Sequence, residues 1–295
     1  MNKHYGGVHA LKDVDFSLNQ GEIHCLIGQN GCGKSTMIKV ISGVIGVDPG
    51  SEVILDGKKS TGGLARQAMA AGVRVIYQDL SIFPNLTVAE NIAFDQHVDS
   101  AVKGVNWSRM YKKAQEVLDR MKIQLDLDVL VEELSIADRQ LVAIARALAT
   151  NAKLLIMDEP TAPLTDNEVE ILFELVRKFK RKKGVSIIYI SHRLDEIFEL
   201  SDRVTVMRDG QMIKTAEIQD ITKNQLIFDM VGRELTETYP KRNPKYGDKL
   251  LEVKGVCGPS NQETSFCVRE GGDRRACGPG GRGQNRDGQA HYRSR

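Results

Sequence analysis

The chain has 295 residues, enough for one large domain or two small ones, with 27% charged residues and a net charge of +2. That balance describes an ordinary solvated surface and gives no case for nucleic-acid binding by bulk charge. No stretch approaches the ~18 apolar residues of a membrane span, and the first residues do not form a secretory signal pattern.

In chain order the pattern is that of an α/β protein. Val14 to Leu18 alternates apolar and polar residues and predicts a strand. Glu22 to Ile27 predicts a second strand, followed by a glycine-rich loop and a helix from Ser35 to Ser42. Glu52 to Leu55 reads as a short strand closed by the turn pair Asp56-Gly57. Val73 to Tyr77 is another strand. From about Pro84 to Thr150 the pattern is helical, with helices over Ser108–Met121 and Ala137–Leu148 and Ser135 as N-cap of the latter. Leu154 to Met157 is a continuous apolar run, as expected of a strand covered on both faces. A helix over Asp166–Phe179 and a strand over Ser186–Ile190 follow. Arg203–Met207 and Gln211–Thr215 flank Asp209-Gly210 and predict a hairpin; a helix runs over Lys223–Val231. Strands alternating with helices around an inserted helical block indicate a doubly wound core with a helical subdomain. The five cysteines (Cys25, Cys32, Cys257, Cys267, Cys277) have no zinc-type spacing and are expected to be free thiols.

Two motifs carry the chemistry. Gly28-Gln29-Asn30-Gly31-Cys32-Gly33-Lys34-Ser35 fits G-x-x-x-x-G-K-[ST] between a predicted strand and a predicted helix, the context that defines a P-loop. Its glycines let backbone N–H groups wrap phosphates, Lys34 is placed to reach the β- and γ-phosphates, and Ser35 to bind Mg²⁺. Thr36 continues the same helix start. Asp158-Glu159 ends an apolar strand: Asp158 is expected to hold Mg²⁺ and Glu159 to polarise the attacking water as general base. An acidic pair after a strand is by itself more often a helix start; a P-loop upstream gives it weight. Gln78 and His192 each follow a predicted parallel strand, so both fall on the sheet edge that carries Glu159. Gln78 is expected to coordinate Mg²⁺ or sense the γ-phosphate, and His192 to donate to it.

The order P-loop, Gln78, Leu134-Ser135-Ile136-Ala137-Asp138, Asp158-Glu159, His192 resembles the ABC ATPases over Tyr5 to about Arg233. The resemblance implies a P-loop NTPase fold of the ABC nucleotide-binding type with an inserted helical subdomain. It implies that Tyr5 stacks on adenine, and that Ser135, Ala137 and Asp138 contact the γ-phosphate held by an opposing domain. ATP and Mg²⁺ are then bound between two such domains, which a homodimer or a separate chain supplies. Gly7-Val8-His9-Ala10-Leu11, Thr87-Val88-Ala89-Glu90-Asn91-Ile92, Met230-Val231-Gly232-Arg233-Glu234-Leu235 and Tyr239-Pro240-Lys241-Arg242 are similar to the first domain of sugar importers with two ATPase domains in one polypeptide. Importers of related small molecules share these phrases. The implied partners are transmembrane permease subunits and, through them, a substrate-binding protein, with the chain at the cytoplasmic membrane face.

Three departures stand out. Ile136, Ala137 and Asp138 replace the last three residues of the general Leu-Ser-Gly-Gly-Gln signature. Thr165 stands where most ABC ATPases have aspartate. Cys32 lies inside the P-loop, as a reactive thiol or, more simply, as an inert small residue.

Residues 237–249 read as a linker and residues 250–271 as the opening of a second ABC domain. The start of the chain falls near the end of the family's first strand, which implies that most of one strand lies upstream. Gly271 to Arg295 holds seven glycines and six arginines with no Val, Ile, Leu, Met or Phe, and cannot build a core. Shifting the reading frame by one base from Gly272 permits Glu-Ile-Val-Gly-Leu-Ala-Gly-Leu-Val-Gly-Ala-Gly-Arg-Thr, as the second domain's sequence runs. Residues 272–295 are therefore expected to be an out-of-frame product, the alternative being an Arg/Gly-rich tail for RNA or an acidic partner. Two further readings stay open: a soluble ABC-type ATPase, and a fragment that binds ATP without productive transport.

Overall fold

The computed structural model describes residues 1–60, 65–77, 82–98, 106–150, 152–232, 247–258 and 261–270. The chain divides into two compact units, Met1–Glu234 and Leu235–Arg295. Gln78, most of the segment read as a linker, and residues 272–295 lie outside the described residues.

The first unit is organised by a six-stranded sheet. Its strands are β3 (Ile23–Gly28), β6 (Val73–Ile76), β7 (Leu154–Asp158), β8 (Ser186–Ile190), β9 (Arg203–Arg208) and β10 (Gln211–Glu217). Their spatial order is β10-β9-β3-β8-β7-β6. All neighbours run parallel except the β9–β10 hairpin. Asp209 and Gly210, at φ 51° and 82°, form that hairpin's turn; both central residues at positive φ match the twist of the flanking strands.

The apolar runs in the sequence have a direct structural cause. Every residue of β3 and β8 is buried. In β8, Ile187 and Tyr189 enter one core while Ile188 and Ile190 enter another; in β7, Leu155 and Met157 separate from Ile156 in the same way. The period-2 side-chain alternation therefore feeds two cores, one on each face. Helix α1 (Lys34–Ile41) packs Met37 and Ile38 into one core, and helix α6 (Asp166–Lys183) packs Leu172, Phe173 and Val176 into the other. Each fully buried Ile or Leu contributes roughly 1.5–3 kcal/mol, so the strands form a stiff base for the loops at their C-terminal ends.

The helical block contains α3 (Val88–Val98), α4 (Trp107–Met121) and α5 (Ile136–Ala149), which pack on one another. Asn106 caps α4 by accepting from Arg109 N at 3.0 Å, and Ser135 caps α5 by accepting from Asp138 N at 3.1 Å. Buried Asn91 in α3 binds the preceding loop: its Oδ1 accepts from Phe83 N at 2.9 Å and its Nδ2 donates to Phe83 O at 2.9 Å.

The strand expected over Val14–Leu18 is not formed. The segment keeps its alternation, with Val14, Phe16 and Leu18 covered and Asp15 and Ser17 exposed, but only Val14 finds a backbone partner, exchanging hydrogen bonds with Met1 at 2.9 and 2.7 Å, and no ladder continues among the described residues. The pattern reports backbone with one covered side; it does not supply the neighbouring strand that completes a ladder. The strand expected over Glu52–Leu55 forms as β4 (Val53–Leu55), which pairs across the Asp56-Gly57 turn with β5 (Lys58–Ser60). Elements without a distinct periodic signature also emerged: β5, β1 (Lys3–Tyr5) pairing with β2 (Val8–Leu11), α2 (Ala65–Ala70) and α7 (Leu194–Leu200). Helix α8 (Lys223–Val231) packs near β9. The second unit contains the antiparallel pair β11 (Lys249–Gly258) and β12 (Asn261–Arg269).

Candidate functional site: a phosphate-binding cleft

The glycine-rich loop joins β3 to α1. Gly28 ends the strand at φ 154°, and a Cβ there would stand 2.2 Å from Met207 O and 2.5 Å from Cys32 Sγ. Gly33 precedes α1 at φ 107°, where a Cβ would meet Ala10 O at 2.8 Å. Both positions need glycine because the loop packs against neighbouring backbone, not only because it turns. Gly33 has no side chain to cap α1, so the first-turn amides stay available to an anion, aided by the helix dipole. Met37 N already donates to Gly33 O at 2.9 Å, closing the first helical turn.

Lys34 Nζ donates to Gly28 O at 2.7 Å and to Gln29 O at 3.1 Å, folding over the loop. Gln29 and Asn30 are exposed. Cys32 is buried beneath the loop, its Sγ 3.8 Å from Lys34 Nζ, which places the thiol away from solvent.

A cleft of about 640 Å³ opens above this loop. Asn30, Gly31, Gly33, Lys34, Ser35 and Thr36 line it from one side, and Asp158 and Glu159 from another. The strand order explains the meeting: β8 lies between β3 and β7, so the ends of β3 and β7 bracket the end of β8, which leads into His192. His192 Nδ1 stands 3.5 Å from Glu159 Oε1. The cleft thus sits where loops leave parallel strands, the usual ligand position in such sheets.

Burial pushes the Asp158 carboxyl above the usual carboxylate range, and the neighbouring charge of Glu159 adds to it; Lys34 opposes both. Glu159 takes a left-handed backbone at φ 48°, uncommon for a non-glycine residue. Its N–H donates to Ile190 O at 3.0 Å, so the strand beside it holds that turn.

Among the described residues no group of three or more His, Cys, Asp or Glu side chains gathers as a metal cage. The cleft nevertheless suits Mg²⁺, which keeps several waters and takes only one or two carboxylates beside substrate phosphates. Asp158 and Ser35 both line the cleft, and Glu159 beside Asp158 places two neighbouring carboxylates there that a cation would stabilise.

Tyr5 is exposed on β1; it does not line the cleft itself, and Lys3 Nζ stands 5.7 Å from its ring centroid. Ser135, Ala137 and Asp138 are also absent from the cleft wall. They start α5, with Ser135 Oγ donating to Asp138 Oδ2 at 2.7 Å. Thr165 is the N-cap of α6, and Glu168 Oε2 accepts from its N–H at 2.7 Å. Threonine and aspartate are both good N-caps, so the departure at this position preserves local structure.

Sequence reasoning missed one wall of the cleft: Val8, His9, Ala10 and Lys12 from the β2 region, with Asp209 and Gly210 from the β9–β10 turn. Gly210 N donates to Cys32 O at 3.1 Å, tying that turn to the P-loop. The Asp-Gly pair was visible in the sequence as a turn, but nothing in it indicated what the turn would touch.

The family described as ABC transporter matches residues 11–162, which contain the P-loop, the α5 start and Asp158-Glu159. The chain belongs to the ABC transporter family. Among curated ABC relatives, the ribose import ATP-binding protein RbsA of Bacillus subtilis (strain 168) is 40% identical over 92% of this chain and 55% of its own length. Ribose import ATP-binding protein RbsA 2 of Rubrobacter xylanophilus is 42% identical over 87% of this chain and 49% of its own length. The chain spans about half the length of these ABC relatives. An ATP-binding cassette of an ABC transporter in its ADP conformation is 29% identical, with TM-score 0.68 over 79% of this chain and 96% of that one. A cassette dimer in a post-hydrolysis state with ADP and Pi is 24% identical, with TM-score 0.65 over 74% of this chain and 95% of that one, and shares the fold.

Proposed function

We propose that the chain is an ATP-binding and hydrolysing subunit that energises an ABC importer for monosaccharides or related small molecules. The observation that carries this reading is the convergence of Lys34, Ser35, Asp158 and Glu159 on one cleft. The 40% identity to a ribose import ATP-binding protein supports the sugar class.

In this reading, Lys34 and the amides of the α1 first turn hold the phosphates of ATP. Ser35 and Asp158, together with Gln78, hold the metal ion. Bound Mg²⁺ neutralises phosphate charge and orients the terminal phosphoryl group. Glu159 accepts the proton of the attacking water, and His192, 3.5 Å from it, is placed to contact the γ-phosphate. Tyr5 stacks on adenine. The signature residues Ser135, Ala137 and Asp138 stand off this cleft, which suits contact with ATP held by a second ABC domain. That domain comes from a second copy of the chain or a separate one.

The partners are transmembrane permease subunits and, through them, a substrate-binding protein. The chain then sits peripherally at the cytoplasmic membrane face; among the described residues no helix is long and apolar enough to cross a membrane. Residues 1–236 form the nucleotide-binding domain in this reading, residues 250–271 open a second one, and residues 272–295 are an out-of-frame tail.

The test is Mg·ATP binding by calorimetry and phosphate release by the purified chain. Lys34→Ala is expected to abolish binding, because it removes the cation that meets the β- and γ-phosphates. Glu159→Gln is expected to keep binding and lower kcat by about 10²-fold or more. Phosphate release that Glu159→Gln leaves unchanged overturns the hydrolysis reading.

A further inference from the structure

We propose that Glu196 is a positioning residue that holds the segment carrying Glu159 and the segment carrying His192 at their working separation. This inference rests on the reading above for the roles of Glu159 and His192.

Glu196 lies in the first turn of α7 and is 3% exposed. Its Oε2 accepts three hydroxyl hydrogen bonds, from Thr161 at 2.9 Å, Tyr189 at 2.9 Å and Ser191 at 2.8 Å. The donors come from different places in the chain. Thr161 lies two residues after Glu159, Tyr189 lies within β8, and Ser191 immediately precedes His192. One carboxylate oxygen therefore joins the loop after β7 to the loop after β8.

The surrounding contacts extend this clamp. Ser191 Oγ also accepts from Arg193 N at 3.0 Å, fixing the turn that contains His192. Arg193 Nη1 stands 3.0 Å from Glu196 Oε1 as an ion pair without hydrogen-bond alignment, and Arg193 Nη2 stands 3.6 Å from Asp166 Oδ1 at the start of α6. Glu159 is held on its other side by the bond from its N–H to Ile190 O, and its own carbonyl accepts from Ala162 N at 3.3 Å.

The chemistry calls for a carboxylate. It is an acceptor only, so several O–H groups and a guanidinium can point at it without conflict. An amide of the same shape keeps one oxygen for the hydroxyls but turns an NH₂ group toward Arg193, donor against donor. None of the Glu196 partners lines the P-loop wall of the cleft. A loss of positioning is thus separable from a loss of ATP binding.

The experiment uses the full chain with Glu196→Gln, Thr161→Val and Ser191→Ala. Glu196→Gln is expected to lower kcat about ten- to a hundredfold while leaving KM for ATP within about twofold, as small displacements of catalytic groups do. Thr161→Val is expected to have a smaller effect, because it removes one of the three hydroxyl bonds and leaves the carboxylate beside Arg193. Residue-resolved hydrogen exchange supplies a readout independent of turnover: the amides of Glu159 and Arg193 should lose protection in Glu196→Gln while those of Ile38 and Ile41 keep theirs. An unchanged kcat overturns the proposal, as does a parallel loss of kcat, binding and protection across the unit. If the wild-type chain releases no phosphate, the hydrolysis reading fails by itself, and unchanged protection at Glu159 then overturns the positioning role separately. If Glu196→Gln does not fold, the Thr161→Val and Ser191→Ala exchange patterns decide.

Discussion

Replacing Gly28 with alanine tests whether the P-loop is held by close backbone packing or only by its turn. At Gly28 a new Cβ meets Met207 O at 2.2 Å and Cys32 Sγ at 2.5 Å, with φ at 154°. The sulfur can move as a side chain; the carbonyl belongs to a paired residue of β9, which faces Gly28 across the parallel ladder. Gly31→Ala is the matched control, since its φ is 83° and nothing lies within 4 Å of its Cβ position. There the cost is the positive backbone angle alone, about 1–2 kcal/mol. The unfolded chain gives back about 0.4–1 kcal/mol in either variant through lost flexibility. Gly28→Ala adds the clash, and shifting a central strand pair places the total at about 3–5 kcal/mol, in the range reserved for severe core defects. Urea unfolding followed by circular dichroism should separate the two variants by at least about 2 kcal/mol. Equal destabilisation would mean that the strand end yields freely, and the packing argument would fail.

Two further outcomes follow from named contacts. His24 is buried in β3, with Nδ1 2.8 Å from Glu22 Oε1 and Nε2 2.7 Å from Thr205 Oγ1; Arg203 and the Phe16 ring also face it. Burial lowers its pKa below the ordinary value of 6.5, with Arg203 in the same direction and Glu22 opposing. The folded protein therefore takes up this proton less readily than the unfolded chain, so stability is full above about pH 6.5 and is lost as pH falls toward the folded pKa. Urea midpoints measured from pH 7.5 to 5 should decline, and His24→Gln should flatten that decline; a slope unaffected by the substitution refutes the assignment. Thr165→Ala should cost about 1 kcal/mol by removing the α6 cap, whereas Thr165→Asp should stay within about 0.5 kcal/mol of wild type in the same assay.

The local sequence determined a good deal of this protein. The P-loop, the acidic pair at the end of β7, the Ser135 cap and the Asp209-Gly210 turn were legible because each depends on neighbouring residues and on local backbone geometry. The doubly covered strands were legible because burial on both faces demands continuous apolar runs. Val14–Leu18 shows the limit: its alternation marks a covered side, and pairing depends on a neighbour that the segment does not contain.

Only the tertiary structure decided what meets across the chain. It built one cleft wall from the β2 region and the β9–β10 turn, and folded Lys34 onto the Gly28 and Gln29 carbonyls. It also made Glu196, which in sequence is one of two acidic residues in a helix's first turn, the common acceptor for Thr161, Tyr189 and Ser191. The physical reason is the same in each case. Propensity and periodicity act over a few residues, whereas a buried polar group must find its partner wherever the sheet order brings one, as His24 does with Thr205, 181 positions away.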